Sequence, residues 1–427
     1  MKSYKICIIG GGPSGMMAGI SSAENLKEPE KIAIIDKNND LGQKLLLTGG
    51  GRCNITNEKP IKNQLKLYPE KNFLKPSFFA FDNNDLLKMF ENKGVEFKVE
   101  DNGRIFPTTD DAHIIKGVLK DYLTNLNVDI ISNTTVKSVK HELNNDKKLK
   151  FNLKTDNDSI ECDKLIITTG GISYPNTGSD GDGYMFAESL SHTITPIKPG
   201  LVSLKVEDSY LHKLAGIQLN NVKVSFKDRK KKISTTGDVL ISHTGVTGPA
   251  IIDLSNDIMR KSDYNLLNNE TELNNMKISI DLKPELNEDQ LKERITNDIP
   301  SNGTTKIKNY MKYYMSNNFI EYFLNKAQVS SNKTMSSLTR KDKNRIVDNL
   351  KHLSFEISDI LSEDAKVTIG GVNIKEIESK TLESNLVEGL YFAGEVLEPA
   401  GPTGGYNLQL CFSTGYLAGL SASKSLK

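Results

Sequence analysis

Residues 4–19, YKICIIGGGPSGMMAG, decide the fold. Tyr4 to Ile9 is a short apolar run of the kind buried on both faces of a parallel sheet. Gly10, Gly12 and Gly15 then match G-x-G-x-x-G, and MMAGISSAENL (16–26) has the length and small residues of a packed helix. That glycine pattern is weak alone but carries a mechanism when it follows a strand and opens a helix. Gly10 permits the tight turn, Gly12 lets a pyrophosphate approach the backbone, and Gly15 lets helix and strand pack closely. The helix N-terminus adds N–H donors and the positive end of its dipole. Ile32 to Ile35 reads as a second buried strand, and Asp36 ends it near the spacing expected for a carboxylate accepting from a ribose hydroxyl. An acid there disfavours a 2′-phosphate, so FAD or NAD is expected and NADP is not.

The choice between them lies at the other end of the chain. GLYFAGEVLEPAGPTGGYNLQLCFSTGYLAG (389–419) reads as a buried strand, a Gly394-Glu395 pair, a glycine-rich turn and a small-residue helix. A carboxylate such as Glu395 at a strand tip can hold ribityl hydroxyls. Gly404-Gly405 lets backbone approach a flat ring, and the following helix aims its positive end at whatever lies in front. A nicotinamide enzyme needs no such return, so the cofactor expected is non-covalent FAD.

The chain has 427 residues, room for two or three domains, with 37% hydrophobic and 26% charged residues. Lys plus Arg (55) nearly balance Asp plus Glu (54), so no global field favours nucleic acid or an anionic membrane. The densest basic run, KDRKKK (227–232), lies between strand-like segments and reads as a solvated hairpin tip. Four scattered cysteines without C-x-x-C exclude dithiol and zinc chemistry and fit a reducing compartment. Neither a signal peptide nor an apolar run of roughly 18 residues is visible, so a cytoplasmic protein is expected. Residues 136–139 and 151–163 suggest an antiparallel hairpin around the charged turn NNDKK, and Leu165-Ile166-Ile167 a further buried strand. From about Pro196 the pattern turns strand-like, and 284–363 is charged, Asn-rich and helical in character. The expected order is 1–195 nucleotide domain, 196–283 inserted β-barrel-like domain and 284–363 helical domain. A return strand on the barrel side (364–372) would follow, and the nucleotide domain would be completed up to residue 427.

In its motifs the chain resembles the YhiN/BaiN-like flavoproteins, the aminoacetone-oxidase-family FAD-binding enzymes of the glutathione-reductase-type superfamily. The matching pieces are IIGGGPSGMMAG, GQKLLLTGGGRCNITN, GRIFP (103–107), TTGGISYPNTGSDGDGY (168–184), GDVLISHTGVTGPAIIDLS (237–255), VTIGGV (367–372) and the C-terminal block. The resemblance implies an α/β, Rossmann-like FAD domain with inserted barrel-like and helical domains. It puts Gly10, Gly12, Pro13, Ser14, Gly15 and Asp36 on the ADP half, with Lys37 also a cofactor contact and Val136 offering backbone to the adenine. Thr169, Gly170 and Gly171 would lie near the pyrophosphate, and Gly394 and Glu395 on the ribityl and phosphate. Gly405, Tyr406, Asn407, Leu408 and Gln409 would line the isoalloxazine. Lys44, Leu45, Gly50, Gly51, Arg52, Cys53 and Asn54 would complete the cofactor contacts. Ala400 stands where many relatives carry a second acid, a departure at the substrate-side loop.

TGGGRCNITN (48–57) invites other readings, and each fails a test. A Walker loop needs Lys after its glycines, Cys53 has no partner thiol near in sequence, and the sequon at Asn54 lacks a secretion signal. Cys53 therefore reads as a packing residue, its glycines as a close backbone approach to FAD, and Arg52 as a group able to reach a phosphate or substrate anion. The catalytic group is not identified. His243, Tyr174, Tyr406 and Arg52 are candidates, although a structural hydrogen bond at the Gly-Pro turn suits His243 better. No paired histidine and carboxylate indicates a metal. An FAD-dependent oxidoreductase acting on a small organic substrate by hydride transfer is expected. It would be an amine-type oxidase passing electrons to oxygen, or an NAD(P)H-driven C=C reductase; NAD(P)H is thus a candidate donor. With no second G-x-G-x-x-G, a dedicated NAD(P)H domain is not expected. The rival class is a tRNA-linked or non-enzymatic flavoprotein, against which the balanced charge argues.

Overall fold

The computed structural model describes residues 2–26, 31–143, 149–228, 231–266 and 276–426. The chain forms two compact units, Met1–Lys198 with Val367–Lys427, and Pro199–Lys366. In the first unit, β1 (Lys2–Ile9), α1 (Pro13–Asn25) and β2 (Ile32–Ile35) make the expected βαβ start, with the apolar end of β1 parallel to β2 in register Ile6↔Ile32 to Ile9↔Ile35. A small antiparallel sheet follows, β3 (Thr56–Asn57), β4 (Phe97–Glu100) and β5 (Arg104–Pro107), with β5 in the middle. Next come β6 (Asp129–Ile131), β7 (Val136–Leu143), β8 (Leu149–Thr155), β9 (Ser159–Ile167) and helix α2 (Asp182–Ser189). The chain returns to this unit with β10 (Leu390–Phe392) and helix α3 (Tyr406–Lys424).

The main sheet has seven strands in the order β6-β2-β1-β9-β8-β7, with β10 also pairing β9. β9 is long enough to serve two neighbours on one edge. Its first half pairs antiparallel with β8, and its last residues pair parallel with β10, Leu165↔Leu390 to Ile167↔Phe392. The stretch read as one arm of a hairpin (151–163) is thus split between β8 and β9, and Leu165 to Ile167 is the end of β9. The NNDKK turn lies outside the described residues.

Close backbone contact seats the C-terminal helix on α1. Side chains at Gly415 and Gly419 would overlap the carbonyl oxygens of Ser14 and Ala18. Ser21 Oγ donates to Tyr416 O at 2.9 Å and Ser22 Oγ to Gly419 O at 3.1 Å. Both serines are fully buried, so these bonds satisfy hydroxyls that packing removes from water.

In the second unit six strands close a barrel in the order Leu204–Val206, Gly245–Thr247, Lys231–Ile241, Gln218–Asp228, Lys277–Asp281, Leu353–Ile360. The long hairpin pairs up to Asp228↔Lys231, while Arg229 and Lys230 of the basic run lie outside the described residues. Helices from Glu288–Asn297 to Arg340–His352 interrupt the barrel before its last strand. The closing strand differs from the sequence expectation. Leu353–Ile360 lies in the stretch assigned to the helices, whereas Val367–Ile369, assigned to the barrel side, falls in the first unit. The reason is legible in LSFEISDI: Leu353, Phe355 and Ile357 are buried and Ser354, Glu356 and Ser358 exposed, a period-2 pattern hidden behind charged helical sequence. No helix among the described residues is long and apolar enough to cross a membrane.

His192 ties the segment after α2 to the C-terminal return. Its Nδ1 lies 3.1 Å from Glu376 Oε2, its Nε2 2.8 Å from Ser384 Oγ, and its ring sits edge-on to Phe392 at 4.8 Å. Burial holds the imidazole below its usual pKa of 6.5, although the Glu376 carboxylate pulls upward. A histidine kept neutral in the fold but free to charge in the unfolded chain costs stability as pH falls through the unfolded value. His141, lowered by burial and by Lys164, acts in the same direction. Urea midpoints should therefore fall between about pH 7.5 and 5.5, and His192→Gln should flatten that slope. Equal slopes in wild type and variant would contradict this account.

Candidate functional site

The glycine turn before α1 behaves as its three positions require. Gly10 has φ +99°, and a side chain there would stand 2.7 Å from Thr168 O. A side chain at Gly15 would overlap the Gly10 carbonyl, so strand and helix are in backbone contact. Gly12 is different: φ is −72°, and no heavy atom lies within 4 Å of where its Cβ would stand. Pro13 occupies the first helical turn and no side chain caps it. The N–H groups of Gly12, Ser14 and Gly15 have no acceptor among the described residues. Open space in front of unsatisfied donors at a helix N-terminus fits an anionic diphosphate.

Asp36 ends β2 almost buried. Its Oδ2 accepts from Gly11 N–H at 2.6 Å and its Oδ1 from Asn38 N–H at 2.8 Å and Asn38 Nδ2 at 3.0 Å. Its carbonyl accepts from Thr134 N–H at 3.0 Å, two residues before Val136, which opens β7 opposite Thr155 of β8. Lys37 pairs with Asp180 (2.8 Å) and Asp182 (2.6 Å), so it braces the entry to α2. Burial lowers its pKa, but these two carboxylates more than reverse that.

The C-terminal return meets this turn directly. Gly394 has φ +80° and lies so close to Ser14 that a side chain would overlap its hydroxyl; its N–H donates to Thr414 Oγ1 at 2.9 Å. Glu395 Oε2 is 2.6 Å from Lys44 Nζ, which also reaches Ser173 Oγ at 2.5 Å. Glu395 Oε1 accepts from Thr368 N–H at 2.8 Å and Ser173 Oγ at 3.2 Å. A side chain at Gly170 would stand 3.9 Å from Glu395 Oε2. Gly171 presses on the Thr368 side chain, and the Thr169 hydroxyl is enclosed against Gly183.

The stretch 48–57 packs against the start of α3. Leu45 is buried, and Gly49, Gly50 and Gly51 have φ of +59°, +69° and +89°, with open space at Gly50. With the Asn54 amide assigned so that its oxygen meets a donor and its nitrogen an acceptor, Oδ1 accepts from Gly405 N–H at 3.1 Å and Nδ2 donates to Thr56 O at 3.2 Å. Thr56 Oγ1 donates to Gln409 Oε1 at 2.6 Å, Asn57 Nδ2 to Gly404 O at 3.1 Å, and Tyr68 OH to Tyr406 O at 2.8 Å. No side chain caps α3, and the N–H groups of Tyr406, Asn407 and Leu408 have no acceptor among the described residues. A second set of free donors therefore stands at a helix N-terminus.

Several expected roles shift. Gln409 is fully buried, its amide donates to Ser413 Oγ at 2.9 Å and its N–H to Gly405 O, so neither is available to a ligand. Asn407 turns its amide back onto Gly401 N–H and O at 2.8 and 3.0 Å. Arg52 lies 4.1 Å over Phe106 and pairs with Glu100 (2.8 Å) and Asp110 (3.4 Å), which answer its charge within the β4–β5 hairpin. Cys53 is buried at φ +62°, and burial pushes its thiol up to about 12, so it packs as a neutral group. Tyr406 is 4% exposed, and Tyr174 is half-buried with φ +56° and Lys44 Nζ 5.9 Å from its ring centroid. His243 belongs to the second unit and is exposed; no hydrogen bond from it to the Gly248-Pro249 turn occurs among the described residues, and its own turn is closed by Ser242 Oγ, accepting from Gly245 N–H at 3.0 Å. Ser173, Thr368, Thr56 and Asn57 were missed. They sit within the same glycine-rich motifs or a few residues from their glycines, and membership of those motifs was the available signal. Among the described residues no group of three or more His, Cys, Asp or Glu side chains is placed to hold a metal ion.

Comparison with known proteins completes the assignment. Residues 4–421 match the family described as HI0933-like protein Rossmann domain. The chain is 29% identical over 421 residues to the 3-dehydro-bile acid delta(4,6)-reductase of Clostridium scindens, covering 98% of this chain and 99% of that one. It is equally 29% identical over 421 residues to the ribosomal RNA dihydrouridine synthase of Haemophilus influenzae, with 98% of each covered. Among solved structures, 3-ketosteroid delta1-dehydrogenase from Sterolibacterium denitrificans in complex with 1,4-androstadiene-3,17-dione aligns with a TM-score of 0.50, covering 100% of both chains. At 9% identity that likeness speaks for the fold alone. Fold, site and relatives together define an FAD-dependent oxidoreductase. The chain belongs to the HI0933-like family, the group that its motifs resemble.

The two glycines of the turn should separate binding from folding. Gly12→Val adds bulk where nothing stands and φ is ordinary, so the unfolding midpoint should hold while FAD affinity drops at least about tenfold. Gly15→Val should instead destabilise the fold by about 1–3 kcal/mol, because it forces α1 off β1. Unchanged flavin fluorescence titration for Gly12→Val would contradict the cradle.

Proposed function

We propose that this flavoenzyme adds hydrogen across a C=C bond conjugated to a carbonyl in a small organic substrate, with NADH or NADPH as electron source. The observation that carries this reading is that two near-full-length relatives, of equal identity, are named for saturating a ring C=C bond. In uracil, as in an enone, that bond is activated by an adjacent carbonyl. Amine-type oxidation has no comparable support. Dithiol chemistry has none either, since burial pushes both Cys53 and Cys411 up to about 12.

When bound, FAD supplies hydride exchange at its N5. The chain's part is to hold and polarise it. In this reading the N–H groups of Gly12, Ser14 and Gly15 bind the diphosphate, and Asp36 uses its remaining lone pairs for the adenosine ribose. Lys44 and Glu395 form a mostly buried, charge-balanced pair beside the ribityl chain. The N–H groups of Tyr406, Asn407 and Leu408 set the positive end of α3 against the ring edge where negative charge gathers on reduction.

A second reading, a uracil ring within RNA as substrate, is favoured by the Haemophilus relative's name. The net charge of +1 weighs against extended phosphate contact. Anaerobic stopped-flow absorbance tests both. NADH or NADPH should bleach the flavin, and a cyclic enone should restore its colour faster than buffer alone. Recolouring by uridine-containing RNA but not by enones would favour the second reading. Bleaching by small amines with recolouring only by oxygen would overturn both.

A further inference from the structure

The strongest unabsorbed feature is the asparagine at the end of the glycine loop. Asn54 belongs to the stretch where an anion contact through Arg52 was expected, yet Arg52 is paired with carboxylates and Asn54 faces α3 instead. We propose that Asn54 is a positioning residue that acts through Gly405 to orient the free N–H groups at the start of α3, and so tunes the reduction potential of the bound flavin. The proposal rests on the functional reading above, in which that helix end faces the ring.

Four observations carry it. Asn54 Oδ1 takes the Gly405 N–H, so the next three N–H groups are the ones left unsatisfied. Gly405 has φ +91° and lies so close to Thr56 O that a side chain would overlap it; the turn therefore has no room to shift toward β3. Asn54 Nδ2 donates to that same Thr56 carbonyl, so one amide links both sides of the contact. Thr56 and Asn57 continue the brace, bonding Gln409 and Gly404 from consecutive positions of β3. An uncharged side chain that both accepts and donates is required. A carboxylate at this place would keep the Gly405 bond but set a full negative charge beside the helix end, against a dipole worth about half a charge.

The test uses purified full-length protein loaded with FAD, with wild type, Asn54→Asp and Asn54→Leu compared. Circular dichroism and urea unfolding first establish which variants fold; if Asn54→Leu does not, Asn54→Asp decides alone, because it retains the acceptor. Asn54→Asp should shift the flavin midpoint potential to more negative values, because negative charge opposes reduction. Asn54→Leu should weaken FAD binding about tenfold, since it leaves the Gly405 N–H unsatisfied. A purely structural asparagine would alter stability and leave the potential where it was, which would overturn the proposal. If wild type holds FAD and the folded variants match it in affinity and potential, the inference falls alone. If wild type binds no FAD, the functional reading falls with it.

Discussion

Everything in the nucleotide unit depends on one backbone contact, the seating of α3 on α1. Gly415 and Gly419 bring the C-terminal helix within carbonyl distance of Ser14 and Ala18, and the hydroxyls of Ser21 and Ser22 bond across the seam. Two helices that approach this closely cannot slide independently. Ser14 also touches Gly394, so the first and last glycine motifs of the chain, almost 400 residues apart, form one site. Any larger residue at these positions would separate the two helix ends on which the proposed cofactor site depends.

The site is built more from satisfied polar contacts than from exposed reactive groups. Glu395 is held by Lys44, Ser173 and Thr368, Asp36 by Gly11 and Asn38, and Arg52 by Glu100 and Asp110. Buried or half-buried charges are tolerable because each has a partner and hydrogen bonds to its remaining atoms. What stays unsatisfied in the site among the described residues is the Thr169 hydroxyl and, on the backbone, the N–H groups opening α1 and α3. In the proposed reading the protein presents fixed dipoles to the flavin, and its Cys53 and Cys411 thiols stay neutral because burial raises both.

Sequence and structure agree at some residues and part at others. IIGGGPSG was readable because each glycine answers a local steric demand. The C-terminal return was readable because a buried strand, a glycine turn and a small-residue helix recur together. The barrel's last strand was not, since LSFEISDI follows a long charged helix and its alternation is only eight residues long. The side chains of Arg52 and Gln409 were not legible for a different reason. Their chemistry suits a ligand, but whether a side chain faces a ligand or folds back depends on neighbours distant in sequence: Glu100 for Arg52, Thr56 for Gln409.

The sequence by itself determined the class of fold, the location of the nucleotide turn and the kind of cofactor, because these rest on backbone constraints set within a few adjacent residues. The tertiary structure alone decided which polar groups remain free. Hydrogen-bond partners compete across the chain, and Asn54, Thr56 and Asn57 commit to the start of α3 only once the fold has brought residues 48–57 against 404–409.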